Sequence, residues 1–148
     1  MSLEWRHNHT QDASRLQRRA DELDAQIRDW PRHAGNDPYQ TGLEQVAEAL
    51  RPLLPATLVA VGYNEFCRPS MPEAIDHVIR QGATRVAVIP SMLTPGGVHA
   101  ERDIPQALAA IRRAHPTITI QYVWPFDVRQ VAGLLAQHVH HALAEPSA

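Results

Sequence analysis

His99 is the side chain in this sequence whose type and surroundings best suit it to chemistry. It lies in the stretch 86–105, VAVIPSMLTPGGVHAERDIP, where an apolar run gives way to a Pro/Gly-rich loop and then to an acidic helix start. An imidazole there can bind a borderline metal ion or exchange protons near neutral pH. Gly96 and Gly97 precede it and would let a ligand approach the backbone closely. The alternative is a loop histidine without a role.

Charged side chains flank the ligand pocket that we expect beside His99, and they extend the candidate site. Glu65 follows an apolar run and can act as a metal ligand or proton acceptor, or remain a solvated carboxylate near a helix start. Arg68 and Arg102 flank the pocket, and guanidinium groups bind carboxylates in bidentate pairs. They therefore favour an acidic substrate, with ordinary surface arginine as the competing interpretation.

Three apolar runs rich in β-branched residues would position these side chains. They predict buried strands at 57–63, 84–90 and 117–123, alternating with helices. That order predicts a three-layer α/β domain, with a parallel sheet covered by helices on both faces. In such sheets ligands bind beyond the carboxyl ends of the strands, so Glu65 and His99 should lie at one edge.

Apolar spacing and capping residues predict four helices, at 41–50, 70–81, 103–114 and 127–143. Two of them begin with a capping box, Thr41 with Glu44 and Ser70 with Glu73. The later helices are predicted to bury Ala74, Ile75, Val78 and Ile79; Ile104, Leu108 and Ile111; and Val131, Leu134, Leu135, Val139 and Leu143.

The N-terminal part of the chain has a different character. Residues 1–10 are polar and suggest a frayed terminus, although they include His7 and His9. Residues 12–30 predict a charged helix with one narrow apolar stripe, whose members recur at spacings of 4, 3, 4 and 3: Leu16, Ala20, Leu23, Ile27 and Trp30. Such a stripe suits packing against this domain or a second subunit.

Composition narrows the function classes. The 148-residue chain has a formal net charge of −2, which gives no electrostatic case for nucleic-acid binding. Its one cysteine cannot form an intrachain disulfide, and no long apolar window predicts a membrane span, so we expect a cytoplasmic protein. The sequence also lacks GxGxxG, Walker and GxSxG motifs, which weighs against dinucleotide enzymes, P-loop enzymes and α/β-hydrolases.

Two segments resemble a known family. YNEFCRPSMPEAI and PSMLTPGGVHAERDIPQAL are similar to the elements that follow successive strands in the small class II chelatases of the sirohydrochlorin cobaltochelatase type, CbiX and SirB. The resemblance is best over 40–144. It implies one chelatase-like domain over 1–148, with a flavodoxin-like half and an added N-terminal helix over 10–31.

The resemblance implies a lyase that inserts cobalt, nickel or ferrous iron into a tetrapyrrole such as sirohydrochlorin, in cobalamin- or siroheme-type biosynthesis. His99 would bind the metal or accept pyrrole protons, and Glu65 would assist as ligand or proton relay. Arg68, Arg102, Gly96 and Gly97 would bind the substrate. No organic cofactor is implied, and a homodimer is expected to hold the tetrapyrrole near its interface.

The chain departs from the family pattern at its first strand, which normally ends in His-Gly-Ser and supplies a second catalytic histidine. By its distance from Glu65, His33 in HAGNDP stands at the matching position, but the residues before it are too polar for a central strand. His7 and His9 are the other candidates. A catalytically degenerate relative, which binds metal or tetrapyrrole or serves as a dimerising partner without turnover, is therefore the alternative function.

Overall fold

The computed structural model describes residues 3–64 and 67–144, with side chains from residue 12 onward. Its helices and strands are α1 (Leu3–Arg28), α2 (Pro38–Leu50), α3 (Met71–Arg80), β1 (Arg85–Val88), α4 (Ile104–Ala114), β2 (Thr119–Tyr122) and α5 (Val128–Ala144). A 3-10 turn, Arg51–Leu53, follows α2, and a π-helical turn, His99–Asp103, precedes α4. The chain forms two compact units, residues 1–81 and 82–148. Among the residues described, no helix is both long enough and apolar enough to cross a membrane.

The first unit begins with helix α1, which starts at Leu3 rather than after a frayed terminus. The expectation of an irregular backbone is therefore wrong for residues 3–10. The stripe predicted along this helix is exposed: Leu16, Leu23, Ile27 and Trp30 keep 71%, 42%, 45% and 63% of their surface accessible. Within this chain the stripe is largely uncovered.

Helix α2 begins three residues before the predicted Thr41 capping box. Asp37 is its N-cap, and its carboxylate accepts a hydrogen bond from the Gln40 N–H at 3.0 Å. Pro38 occupies the first helical turn, where a missing N–H costs nothing. The helix begins at this earlier position because the Asp37 carboxylate accepts a hydrogen bond from a backbone N–H of the first turn. The fixed φ of Pro38 also suits the first helical position.

The capping box predicted at the start of α3 is confirmed. The Ser70 N–H donates to the Glu73 carboxylate at 2.7 Å, and the Glu73 N–H donates to the Ser70 hydroxyl at 3.4 Å. Three of the four residues predicted to face inward are buried: Ala74, Ile75 and Val78. Gly62 allows the chain to approach this helix closely, because a Cβ there would lie 2.9 Å from the Ala74 Cβ and 3.0 Å from the Met71 Cα.

The strand predicted at 57–63 is wrong. Within the described residues, its only bridge is at Tyr63, which pairs with Ser70. The Tyr63 N–H donates to the Pro69 carbonyl and the Met71 N–H to the Tyr63 carbonyl, both at 2.9 Å. Leu58 remains 49% exposed. A strand requires a paired neighbour, and an apolar β-branched run by itself supplies none.

In the second unit, the two predicted strands form a small parallel sheet, which confirms an α/β architecture. β1 pairs with β2 in the register Arg85↔Thr119 to Val88↔Tyr122. Hydrogen bonds from Thr119 N–H to the Thr84 carbonyl and from Val123 N–H to the Val88 carbonyl extend the ladder. β1 is less buried than predicted, since only its alternate residues Val86 and Val88 are even partly covered.

Helix α4 connects the two strands and packs against β2. Its predicted face is confirmed: Ile104, Leu108 and Ile111 are buried, and Leu108 is fully so. The Arg112 side chain donates to the Ile120 carbonyl at 2.9 Å and ties the end of the helix to the strand.

Helix α5 contradicts the prediction of a buried face. Leu134, Leu135, Val139 and Leu143 are 56%, 54%, 52% and 80% exposed. The 3.6-residue periodicity that predicted burial is present, but periodicity indicates only that a face is apolar and not what covers it.

Candidate functional site

The imidazole of His99 is oriented by a carboxylate one turn further along the chain. Its Nδ1 lies 2.9 Å from Oδ2 of Asp103, at spacing i,i+4. An ionised carboxylate can only accept a hydrogen bond, so Nδ1 carries the proton and the neutral ring has its lone pair on Nε2. A metal-binding histidine is usually held in this way, through its other ring nitrogen.

The backbone presents this ring at the surface. His99 opens the π-helical turn, and its side chain keeps 53% of its surface accessible. π-helical turns are rare and occur frequently at functional sites. The carboxylate of Asp103 is half as exposed, at 27%, and also accepts from Arg102 Nε at 3.2 Å. The turn therefore combines an accessible imidazole with a better covered acid.

Glu101 joins this turn to two other segments, a role that the sequence analysis missed. Its Oε1 accepts from the Gly96 N–H at 3.1 Å and from the Trp124 indole N–H at 3.2 Å. Gly96 has φ +98°, a conformation that side chains disfavour, so its glycine is required by the backbone. Gly97 has open space around it, because a Cβ there would meet no atom within 4 Å.

Tyr122, at the end of β2, makes a second connection to the turn. Its hydroxyl donates to the carbonyl of Ala100 at 3.0 Å, and Ala100 is itself only 1% exposed. Burial raises the pKa of the Tyr122 hydroxyl, and the nearby Glu101 carboxylate raises it further, so the phenol stays protonated and able to donate. No sequence motif signalled this contact between residues 22 positions apart.

His33 is held differently. It lies in the turn between α1 and α2, in the first unit, and not at the end of a strand. Its Nδ1 accepts a hydrogen bond from the Gly35 N–H at 3.1 Å, so the neutral ring carries its proton on Nε2. The expectation of a strand ending in His33 is wrong, because the residues before it belong to α1 up to Arg28.

Arg68 also belongs to the first unit. It pairs with Asp29 at 3.0 Å and with Glu73. A cavity of about 310 Å³ lies beside it, lined by Arg28, Asp29, Trp30, Arg32, Gln40 and Arg68. Glu65 lies outside the described residues, as do the side chains of His7 and His9.

Metal-ligating side chains do not cluster in the described part of the chain: no group of three or more His, Cys, Asp or Glu residues there could hold an ion. The His99 turn thus supplies an oriented imidazole, and any metal ion that it binds would need further ligands from elsewhere. A substrate that brings its own ligands would meet that need.

Comparison with known proteins identifies the family of this chain. The CbiX family model matches residues 35–142, well over half of the chain. This chain belongs to the CbiX family. His99, Glu101 and Asp103 lie inside the region that matches the CbiX model, whereas His33 lies just before it.

Curated relatives of this CbiX chain are named as chelatases. A sirohydrochlorin cobaltochelatase of Methanocaldococcus jannaschii is 36% identical over 84 residues, which cover 56% of this chain and 58% of the relative. A sirohydrochlorin ferrochelatase of Priestia megaterium is 28% identical over 81 residues, covering 54% of this chain and 30% of the relative. The chain thus spans little more than half of one of these proteins and less of the other.

Two solved structures share the fold of this CbiX chain. SirB from Bacillus subtilis with Fe³⁺ matches with a TM-score of 0.61 at 21% identity, over 72% of this chain and 42% of that one. The sirohydrochlorin chelatase SirB from Bacillus subtilis subspecies spizizenii in complex with cobalt matches with a TM-score of 0.54 at 28% identity, over 58% and 36%. The α/β fold is therefore that of a SirB-like chelatase.

Proposed function

We propose that this CbiX-family chain inserts a divalent metal ion into a tetrapyrrole of the sirohydrochlorin type, as a lyase of cobalamin- or siroheme-type biosynthesis. The metal, which is a substrate, is cobalt, nickel or ferrous iron, and no organic cofactor takes part. The names of its relatives support this reaction, and so does the cobalt or iron bound in the related structures.

The observation that carries the proposal is the His99–Asp103 pair. Insertion releases two pyrrole N–H protons while a hydrated cation exchanges its water for four ring nitrogens. A neutral imidazole with its lone pair on Nε2 can bind the incoming ion or accept a leaving proton. The imidazolium formed by proton transfer would be stabilised by the adjacent Asp103 carboxylate, 2.9 Å from Nδ1.

Glu65 and His33 complete the proposed metal and proton-transfer site, as the family pattern suggests. Glu65 would serve as ligand or relay. His33 would have to release its hydrogen bond from the Gly35 N–H, either to use Nδ1 directly or to move the ring proton to Nδ1 and use Nε2. This rearrangement makes His33 the less well prepared of the two histidines.

Substrate binding is proposed for Arg68, Arg102, Gly96 and Gly97. Both arginines already pair with carboxylates, Arg68 with Asp29 and Glu73 and Arg102 with Asp103. A carboxylate of the tetrapyrrole would exchange with these exposed ion pairs at small cost, since exposed pairs contribute little. The open space beside Gly97 leaves room for a macrocycle to approach.

We further propose a single chelatase-like domain over 1–148, with three layers made by a parallel sheet and the helices on its two faces. The helix over 10–31 is an addition to the family fold. It would act in the cytoplasm as a homodimer. The exposed apolar faces of α1 and α5 support association, because contiguous apolar surface commonly marks an interface.

The alternative is a degenerate relative that binds metal or tetrapyrrole, or dimerises, without turnover. The hydrogen bond that His33 accepts favours it, because Nδ1 of His33 accepts whereas Nδ1 of His99 donates, so the neutral His33 ring carries its proton on Nε2. The two functions differ in whether free sirohydrochlorin becomes metallated.

Cobalt insertion into sirohydrochlorin, followed by optical spectroscopy, tests the proposal. Wild type should metallate the ring, and His99→Ala should lose nearly all of that rate, on the order of 10²-fold or more, because it removes both ligand and base. His77→Ala, an exposed histidine on α3, is the matched control and should behave as wild type.

Absence of insertion by wild type with cobalt, nickel and ferrous iron would exclude the enzyme and leave the degenerate relative. Full activity in His99→Ala would instead remove His99 from the mechanism. Tight binding of sirohydrochlorin without metallation would identify the binding form of the alternative.

A further inference from the structure

Hydrogen bonds connect the loop before His99, and the turn that carries it, to the end of β2 and the segment that follows. Glu101 Oε1 receives the Gly96 N–H from the loop and the Trp124 indole N–H from the segment after β2, at 3.1 and 3.2 Å. We name these three residues, Gly96, Glu101 and Trp124, the Glu101 clamp. Tyr122 adds its bond to the Ala100 carbonyl from the same strand end.

The strand end provides a fixed anchor for this clamp. Tyr122 is the last residue of β2 and is paired with Val88 of β1. The Trp124 ring stacks on Tyr122 with centroids 6.5 Å apart and meets Phe126 edge-on at 5.6 Å. These aromatic contacts restrict the indole, so its N–H has a defined direction toward Glu101.

We propose that Glu101 is a positioning residue for His99, an inference that rests on the proposed function. Gly96 lies three residues before His99, and Glu101 two residues after it. One carboxylate oxygen therefore restrains the backbone on both sides of the imidazole and ties it to the sheet. Small displacements matter here, because a misplacement of about 1 Å can lower a rate by on the order of 10²-fold.

Glu101 acts in this proposal as a hydrogen-bond acceptor and not as a charge. The same oxygen takes both donors, and the carboxylate belongs to no cluster of three or more metal-ligating side chains among the described residues. A neutral amide oxygen can accept the same two hydrogen bonds. Glutamine should therefore replace Glu101, whereas a metal ligand or a general base would require the carboxylate.

The test uses the full chain with Glu101→Ala, Glu101→Gln and Trp124→Phe. Each is measured for kcat and KM in cobalt insertion into sirohydrochlorin, and for amide hydrogen exchange over residues 96–103. The matched control is Glu48→Ala, which removes an exposed glutamate of α2 that pairs with Arg51 in the following turn. This variant should match wild type in both measurements.

Glu101→Ala should lower kcat about tenfold, leave KM within about twofold, and speed exchange of the Gly96 amide, since two hydrogen bonds are lost. Glu101→Gln should recover most of both losses. Trp124→Phe keeps the aromatic packing and the Gly96 bond but loses the indole donor, so its kcat should fall between those of wild type and Glu101→Ala.

Unchanged exchange over 96–103 in Glu101→Ala would overturn the proposal, whatever the activity. A Glu101→Gln variant as slow as Glu101→Ala would overturn it in favour of a role for the charge. If wild type itself inserts no metal, the proposed function fails, and the exchange measurement alone decides whether Glu101 holds the His99 turn.

Discussion

His99 and His33 carry the same ring, but their hydrogen bonds place the ring proton on different nitrogens. Asp103 accepts from Nδ1 of His99, whereas Nδ1 of His33 accepts from the Gly35 N–H. In the neutral rings the lone pair therefore lies on Nε2 of His99 and on Nδ1 of His33. Hydrogen bonding, more than position in the sequence, decides which ring nitrogen carries the lone pair in each of these two histidines.

Removing the Asp103 carboxylate, which accepts from Nδ1 of His99, tests the importance of this hydrogen bond. We expect Asp103→Ala to lower the rate of cobalt insertion by about 10- to 100-fold, the usual loss when a partner that orients a metal-binding histidine is removed. Initial rates from optical spectra would measure it. Asp21→Ala, an exposed acid on α1 that accepts from Gln17, serves as the control, and equal rates for both variants would contradict the role of Asp103.

At the scale of elements, the start of α3 depends on a close contact at Gly62. Its missing side chain lets the chain pass within van der Waals distance of Ala74 and Met71. Gly62→Ala should lower the free energy of unfolding by about 1–3 kcal/mol, because the new methyl group overlaps these atoms. The midpoint of urea unfolding measures the loss.

Gly42 provides the matched control, since it lies inside α2 with no atom within 4 Å of a Cβ placed there. Gly42→Ala should raise the free energy of unfolding by about 0.5–1 kcal/mol through helix propensity. The same sign for both alanine variants would show that the contact at Gly62 is not tight.

The capping box of α3 also predicts a pH dependence. Hydrogen bonds from Ser70, first from its backbone and then from its side chain, lower the pKa of Glu73, and Arg68 and Arg28 lower it further. A carboxyl whose folded pKa is depressed adds stability above its unfolded pKa, near 4.3, and loses it as pH falls through the lower folded pKa.

Glu73→Gln should therefore be less stable than wild type at neutral pH, and the difference should shrink below about pH 4. Urea midpoints measured from neutral to acidic pH would show the convergence. Glu22→Gln, at an exposed ion pair with Arg19, is the control. A gap that stays constant down to about pH 3 would contradict the assignment.

At the scale of the whole molecule, the exposed stripe of α1 predicts how two copies would associate. Its 4-3 spacing is that of a coiled-coil seam. Arg19 and Asp24 flank the stripe five positions apart, the spacing at which opposite charges pair across a parallel two-helix coil. We therefore expect a dimer in sedimentation experiments, with α1 at its interface.

Leu23→Glu combined with Ile27→Glu should convert that dimer to a monomer, because two apolar side chains, each contributing about 1.5–3 kcal/mol when buried, become charged. Arg18→Glu, outside the stripe on the same helix, should leave the dimer intact. A wild-type chain that sediments as a monomer would contradict the expected homodimer.

The sequence by itself determined the features that residue types and their spacing predict directly. These include the capping box of Ser70 and Glu73, the buried face of α4 and the two parallel strands around it. The His99–Asp103 pair was also within reach, because i,i+4 spacing brings side chains together in a helical turn. Local geometry is sufficient for the capping box and for the His99–Asp103 pair, whereas the strands and the helix face were predicted from their apolar patterns.

Only the tertiary structure decided which apolar segments find a partner. It left 57–62 without strand pairing among the described residues, kept the face of α5 exposed, and brought Trp124 to Glu101, 23 positions away. Periodicity records that a segment is apolar, but pairing and burial depend on residues that are distant in the chain. For the same reason the residue types and spacing indicated His99, whereas the contacts that hold it became visible only in the fold.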